Sequence, residues 1–141
     1  MSQSDTRSGT FRVLAGENLT GKKGYLAVLT HDTGVPEVKL PASVGAYAFY
    51  LVDDGGADAA FVDVEPLEAG RNVRAVLKGT CNPGDVLVLA DTGTAADKGK
   101  VRALPSAAGT YRGLAIAEEK GADGQLVLCR PAMIGNVVVS G

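Results

Sequence analysis

Residues suited to catalysis and metal binding are scarce in this chain. Its 141 residues include one histidine, two cysteines and no tryptophan, and 5% are aromatic. Any serine or cysteine catalytic site built on histidine would have to use His31, which stands beside Asp32 in a turn-forming stretch. One histidine and two widely separated cysteines also lack the paired spacing of a zinc site. We therefore predict no enzymatic activity, no cofactor and no metal.

The sequence also lacks long hydrophobic runs and an excess of either charge. No stretch reaches the roughly 18 apolar residues that a membrane-spanning helix needs, and the first residues, MSQSDTRSGT, are polar after Met1. Fourteen basic and 16 acidic residues give a net charge of −2, which provides no field to attract nucleic acid. We expect a protein made in the cytoplasm, with neither membrane nor nucleic acid as a partner.

Several short stretches imitate functional motifs, and each has a simpler interpretation. Residues 16–23, GENLTGKK, approach a phosphate-binding loop, but Lys23 replaces the hydroxyl residue and a strand-like run follows. Adjacent carboxylates at Glu118 and Glu119 would point to opposite faces of a strand. The acidic residues at 53, 54 and 58 suit a turn better than a calcium loop. The two cysteines, Cys81 and Cys129, are interpreted as small buried hydrophobic residues.

Glycine and proline, by contrast, are frequent and divide the chain into short apolar runs. The 19 Gly and 6 Pro leave room for about nine runs of strand length, and several alternate apolar with polar residues. Residues 61–65, FVDVE, are typical of a half-buried strand. Residues 42–46 are the only helix-compatible stretch. This pattern predicts an all-β fold.

An internal repeat organises these runs. Residues 24–66 and 84–131 share landmarks in the same order: Gly24 and Gly84, the Asp-Thr-Gly turns at 32–34 and 91–93, Leu-Pro at 40–41 and 104–105, Gly and Tyr at 45 and 47 and at 109 and 111, and the prolines at 66 and 131. Two copies are too few for a solenoid or propeller. We predict a compact β-barrel or sandwich in which the two copies close on each other, joined by residues 67–83.

The amino-terminal segment differs from this apolar body. Residues 1–10 cannot bury enough apolar surface to become ordered by themselves. The predicted organisation is therefore a flexible arm over residues 1–13 and one β domain over residues 14–141.

Four segments resemble the bacteriophage capsid cement or decoration proteins of the DUF2190-like family: LAGENL at 14–19, EAGRNVRAVLKG at 68–79, PGDVL at 83–87 and RGLAIAEE at 112–119. The resemblance spans most of residues 11–131. It implies a structural protein on the outer surface of a phage head, often a trimer, that bridges neighbouring copies of the major capsid protein. It transfers no catalytic residue.

The arm is the predicted contact with the capsid, through Arg7, Thr10, Phe11, Arg12 and Val13. In this hypothesis the apolar side chains extend a sheet edge or fill a groove, and the arginines meet acidic residues of the shell. Two other functions stay open: a virion-surface module that binds host glycans, and a trimeric β-barrel hydrolase.

Overall fold

The computed structural model describes residues 9–32 and 34–140. These residues contain one short 3-10 helix, Ala95–Asp97, and otherwise strands and turns. The ten strands are β1 (Phe11–Ala15), β2 (Leu26–Thr30), β3 (Glu37–Lys39), β4 (Tyr50–Asp54), β5 (Phe61–Pro66), β6 (Val73–Val76), β7 (Val86–Leu89), β8 (Val101–Ala103), β9 (Gly109–Ala117) and β10 (Leu126–Val139). The prediction of an all-β fold is confirmed.

Strands β1 to β5 form a closed barrel in the order β1-β3-β2-β4-β5. Antiparallel pairing of β1 with β5 closes it, and β1 runs parallel to β3 through Leu14 and Ala15. Both sides of β1 therefore have a partner strand within the first half of the chain.

Strands β6 to β10 form a second sheet with the same set of neighbours. Its order is β6-β10-β9-β7-β8, so each antiparallel pair of the first barrel has a counterpart here. The parallel β1–β3 pair also has a counterpart, since Leu77 forms an isolated parallel bridge with Val101. This bridge joins the end of β6 to β8, the two outer strands of the sheet.

Individual hydrogen bonds show how closely the two halves correspond. The Gly24 N–H donates to the Val52 carbonyl, and the Gly84 N–H donates to that of Ala117, each at 2.8 Å. Close to β1 and β6, the Gly16 N–H donates to Val38 and the Lys78 N–H to Val101, again both at 2.8 Å. The structural repeat therefore extends beyond the predicted one, because β6 is the counterpart of β1 rather than part of a connector over residues 67–83.

Each half encloses a core of its own, and the two cores touch through one interface. Nine buried residues, including Val13 and Leu19, fill the first barrel. The second core contains Leu77 and also receives three residues of the first half: Leu26, Ala48 and Leu51. The prediction of a compact β-barrel or sandwich built from two related halves is confirmed, with one refinement: the first half closes into a barrel by itself, and the second sheet shares its core with residues of the first half.

Two smaller expectations also differ from the structure. Residues 11–13, predicted to belong to the arm, lie in β1, because Val13 is buried and the strand pairs with β5. Residues 42–46 form bends and a turn rather than a helix.

A difference between the halves at one turn yields a stability prediction. Ala59 has φ of 66°, and its counterpart Gly124 has φ of 81°; their N–H groups donate to Ala15 and Leu77 respectively. A left-handed conformation costs alanine about 1–2 kcal/mol, whereas the extra freedom of glycine in the unfolded chain costs about 0.5–1 kcal/mol. Ala59→Gly should therefore raise the free energy of unfolding by about 0.5–1 kcal/mol, and Gly124→Ala should lower it similarly. Urea denaturation measures both changes. If the free energy of unfolding changed in the same direction for both variants, the two turns would not be equivalent.

Candidate interaction site

Two of the predicted contact residues lie on the surface at the start of β1. Thr10 is exposed, and the Arg12 side chain is 72% exposed, with its Nε 3.3 Å from Asp63 Oδ1. Arg7 lies outside the described residues. The structure thus leaves Thr10 and Arg12 accessible, although Asp63 already pairs with the arginine.

The two apolar residues of the same prediction contribute to the fold. Phe11 places its ring edge-on to Tyr50, with ring centroids 5.8 Å apart. Val13 is buried in the first core. Val13 therefore has no surface to offer a partner, because its side chain fills the interior of the barrel.

A more prominent surface feature was not predicted: a two-stranded ribbon formed by residues 109–113 of β9 and 135–139 of β10, hereafter the ribbon. It continues the β9–β10 pair beyond a register shift between Pro131 and Gly135. Side chains of Met133, Ile134 and Val138 at or beside it are 84%, 40% and 72% exposed. The uncharged run 131–141 was the signal in the sequence that could have indicated such a surface.

One charged residue lies within the ribbon, and it folds back on the first half. Arg112 stacks its guanidinium 4.3 Å from the ring centroid of Tyr47. Its Nε also donates to the Gly45 carbonyl at 3.0 Å. These two contacts hold the base of the ribbon against residues 45–47.

A shallow apolar groove lies beside the ribbon, between the two halves. Its volume is about 290 Å³. Both halves supply its walls: Phe49, Tyr50, Pro66, Leu67, Ala69, Leu114, Pro131, Ala132 and Met133. Tyr50 is the one residue of this lining with a polar side chain, and the other eight are apolar, so the chemistry of the groove suits packing against apolar side chains.

The paired carboxylates stabilise the fold. Glu118 accepts a hydrogen bond from Arg130 Nε at 3.0 Å, and this bond lowers the Glu118 pKa. Glu119 accepts the Leu128 N–H at 2.9 Å and pairs with Arg74 at 2.9 Å. The backbone bond is the larger reason that the Glu119 pKa is lowered.

In the described residues, no three His, Cys, Asp or Glu side chains group as metal ligands would.

These two carboxylates imply a loss of stability in acid. Their folded-state pKa values lie below the ordinary value of 4.5, so the stabilisation is complete above that pH. It is lost as the pH falls below 4.5 and through the lowered folded-state values. We expect Glu119→Gln to lower the melting temperature near neutral pH and to flatten its fall in acid. Thermal unfolding followed by circular dichroism would test this, and an unchanged acid slope would contradict it.

Both cysteines are buried and free, as the sequence indicated. Burial raises the pKa of Cys81, and it raises that of Cys129 to about 11. Their counterparts in the first half are the buried aliphatic residues Leu19 and Val64. The thiols therefore occupy places that the repeat fills with aliphatic side chains.

A thiol reagent should distinguish these buried groups from reactive ones. Because thiolate is the attacking form, neither cysteine should react with Ellman's reagent in the native protein near neutral pH. Both should react at once in strong denaturant. Fast labelling of one thiol without denaturant would show that the cysteine is accessible.

Among the described residues, no helix is long and apolar enough to cross a bilayer.

The fold that emerges is a duplicated five-stranded unit with an apolar ribbon on the second copy. Neither the family models nor the curated proteins that were compared include a match to the chain. The DUF2190-like resemblance therefore stays a prediction.

The fold is similar to that of a solved structure, the N base of the head fiber gp8.5 of bacteriophage phi29. The superposition has a TM-score of 0.66 and covers 89% of this chain and 95% of that one. The two sequences are 16% identical over the match. At this identity the likeness establishes a shared fold that includes both halves.

Proposed function

We propose that this chain is a structural protein of a phage virion that binds the outer surface of the head. There it bridges neighbouring subunits of the major capsid protein and stabilises the shell. The observation that carries the proposal is the fold shared over 89% of the chain with the base of a phage head fiber. The DUF2190-like segments of the sequence favour the same kind of role.

The chemistry of the described surface supports a role in binding rather than in catalysis. His31 is exposed in a loop, and its carbonyl accepts the Gly34 N–H at 2.8 Å. Glu118 and Glu119 are engaged by arginines. Apolar side chains, by contrast, are exposed on the ribbon at Val138 and beside it at Met133 and Ile134. A surface of this kind acts by contact with other protein.

We propose that the contact with the capsid lies around the start of β1, through residues 1–10 and Arg12, and that the bound form is a homotrimer. Exposed Thr10 and Arg12 leave this end of the first barrel open to a partner. Weak individual contacts suffice, because a trimer on a repeating lattice binds at several points at once and the effective concentration multiplies its affinity.

Purified protein mixed with heads that lack it tests the proposal. Co-sedimentation should saturate at a fixed number of copies per head, and bound protein should raise the temperature at which the heads release DNA, detected with a fluorescent dye. Failure to co-sediment at any concentration would overturn the proposal.

Variants of the same assay test the contact region. Deletion of residues 2–10, or Arg12→Ala, should reduce occupancy several-fold, since each removes part of the proposed contact. Lys120→Ala is the matched control, because it removes one exposed positive charge from the second half. Equal occupancy for all these variants would place the contact elsewhere.

A further inference from the structure

The ribbon has no counterpart in the first half of the chain. Residues 45–49 precede β4 as residues 109–113 precede the rest of β9, but residues 45–49 are irregular. The reason is that the chain turns away after Pro66 toward β6, whereas it continues past Pro131 as β10. The first half therefore closes its core without any equivalent of the ribbon.

The ribbon is apolar on one face and carries an exposed valine on the other. Val137 pairs with Tyr111, and Val139 with Gly109, on the first face; the second face pairs Val138 with Thr110 and Asn136 with Arg112. A two-stranded ribbon is only marginally stable alone in water. This arrangement is what a strand pair has when more protein packs on it.

Charge is absent from this region to an unusual degree. The segments 103–111 and 131–141 contain no Asp, Glu, Lys, Arg or His, although 21% of the chain is charged. The two guanidiniums that approach the ribbon each lie over a tyrosine ring, Arg112 over Tyr47 and Arg102 over Tyr111. The region therefore offers little charge to a partner of opposite sign, whereas copies meeting around a rotation axis bring like residues together and favour neutral ones.

The backbone edges of the ribbon fit the same partner. Among the strand pairs described, residues 109–112 pair only with β10, and residues 135–139 pair only with β9. One free edge belongs to each strand, and the two strands are antiparallel. The β10 edge of one copy can therefore lie antiparallel to the β9 edge of the next, and repetition around an axis closes a ring.

From these observations we infer that the ribbon is the surface through which copies of this chain associate, each ribbon packing on the ribbon of a neighbouring copy. The inference rests on the proposed function for the homotrimer, and it specifies where the trimer is held together. Apolar, uncharged contacts are also what stable homo-oligomer interfaces favour.

Light scattering after size exclusion tests the inference with three proteins. Wild type at micromolar concentration should have three times the 14.4 kDa mass of the chain. Val138→Asp should shift the mass to one chain, because it places three carboxylates around the axis. Val35→Asp is the matched control: Val35 is also exposed, at 45%, but it lies in a loop of the first half. Circular dichroism should show folded protein for both variants.

Met133→Glu provides a second variant, since Met133 is 84% exposed and its replacement does not disturb a core. It too should yield the single-chain mass. Monomeric wild type, an unchanged trimer in both Val138→Asp and Met133→Glu, or dissociation in the Val35→Asp control would each overturn the inference. Capsid binding by a monomeric wild type would leave the proposed function standing, whereas a trimer that ignores capsids would overturn only that function.

Discussion

Replacing Leu77 with alanine is expected to lower the free energy of unfolding by about 3–5 kcal/mol, because truncation leaves a cavity in a packed core. Leu77 is fully buried in the second core and itself forms the backbone bridge with Val101 that joins the outer strands of its sheet. Leu29→Ala is the control, since Leu29 is 40% exposed and should cost well under that amount. Urea denaturation measures both.

The same experiment reports whether the halves unfold together. Because Leu26, Ala48 and Leu51 of the first half belong to the second core, the loss of Leu77 should weaken both halves. Three of the four tyrosines, Tyr25, Tyr47 and Tyr50, lie in the first half, so tyrosine fluorescence reports mainly on that half, whereas circular dichroism reports on the strands of both. The two signals should show one coincident transition. Two separate transitions would show that the cores are independent.

Gly99→Ala is the second substitution expected to be severe. Gly99 has φ of +87°, and an added Cβ would lie 2.8 Å from the Leu26 carbonyl oxygen and 3.0 Å from Leu40 Cδ2. The Gly99 carbonyl also accepts the Leu26 N–H at 2.7 Å, so this turn lies directly at the contact between the halves. The left-handed conformation costs about 1 kcal/mol, net of the lower freedom of alanine in the unfolded chain, and the overpacking costs about 1–3 kcal/mol, so a loss of about 2–4 kcal/mol is expected.

Gly84→Ala separates these two contributions. Gly84 has φ of +90°, but nothing lies within 4 Å of an added Cβ. This variant should therefore show only the cost of the left-handed conformation, reduced by the lower freedom of alanine in the unfolded chain. We expect its free energy of unfolding to fall by about 1 kcal/mol. If Gly99→Ala cost no more than Gly84→Ala in urea denaturation, the contact between the halves would be looser than the structure shows.

The sequence predicted the fold class and the repeat because both depend on local patterns. Gly24 and Gly84 have φ of +85° and +90°, a conformation that only glycine adopts freely, so the same residue recurs at both turns. The short apolar runs likewise follow from strand length and alternation. Such signals are available without knowledge of the tertiary structure.

The repeat found in the sequence did not include β6 as the counterpart of β1, because these two strands share buried positions and not residue identities. Residues Phe11–Ala15 read FRVLA and Val73–Val76 read VRAV, which are too short and common to align. Only the hydrogen bonds of their neighbours show that they are equivalent. The predicted boundary of the arm at residue 13 was wrong, because the burial of Val13 depends on its pairing with β5, which is distant in the sequence.

The uncharged run 131–141 could have indicated an apolar surface, but the strand pairing of the ribbon could not be predicted, because sequence landmarks match where the structures of the two halves differ. Gly45 and Tyr47 correspond in order to Gly109 and Tyr111, yet only the second pair lies in a strand. The difference arises because β5 ends at Pro66 and the chain turns toward β6, whereas β10 continues past Pro131 to Val139. Strand formation here depends on a distant partner rather than on local propensity.

Electron cryomicroscopy of heads to which the purified chain has been added tests the proposed function most directly. We expect density for the duplicated five-stranded unit on the outer face of the shell, over junctions between major capsid subunits. The start of β1 should lie toward the shell, and the ribbons of three copies should meet at one axis. Heads that remain bare at saturating protein, or that carry the chain only on their inner face, would contradict the account.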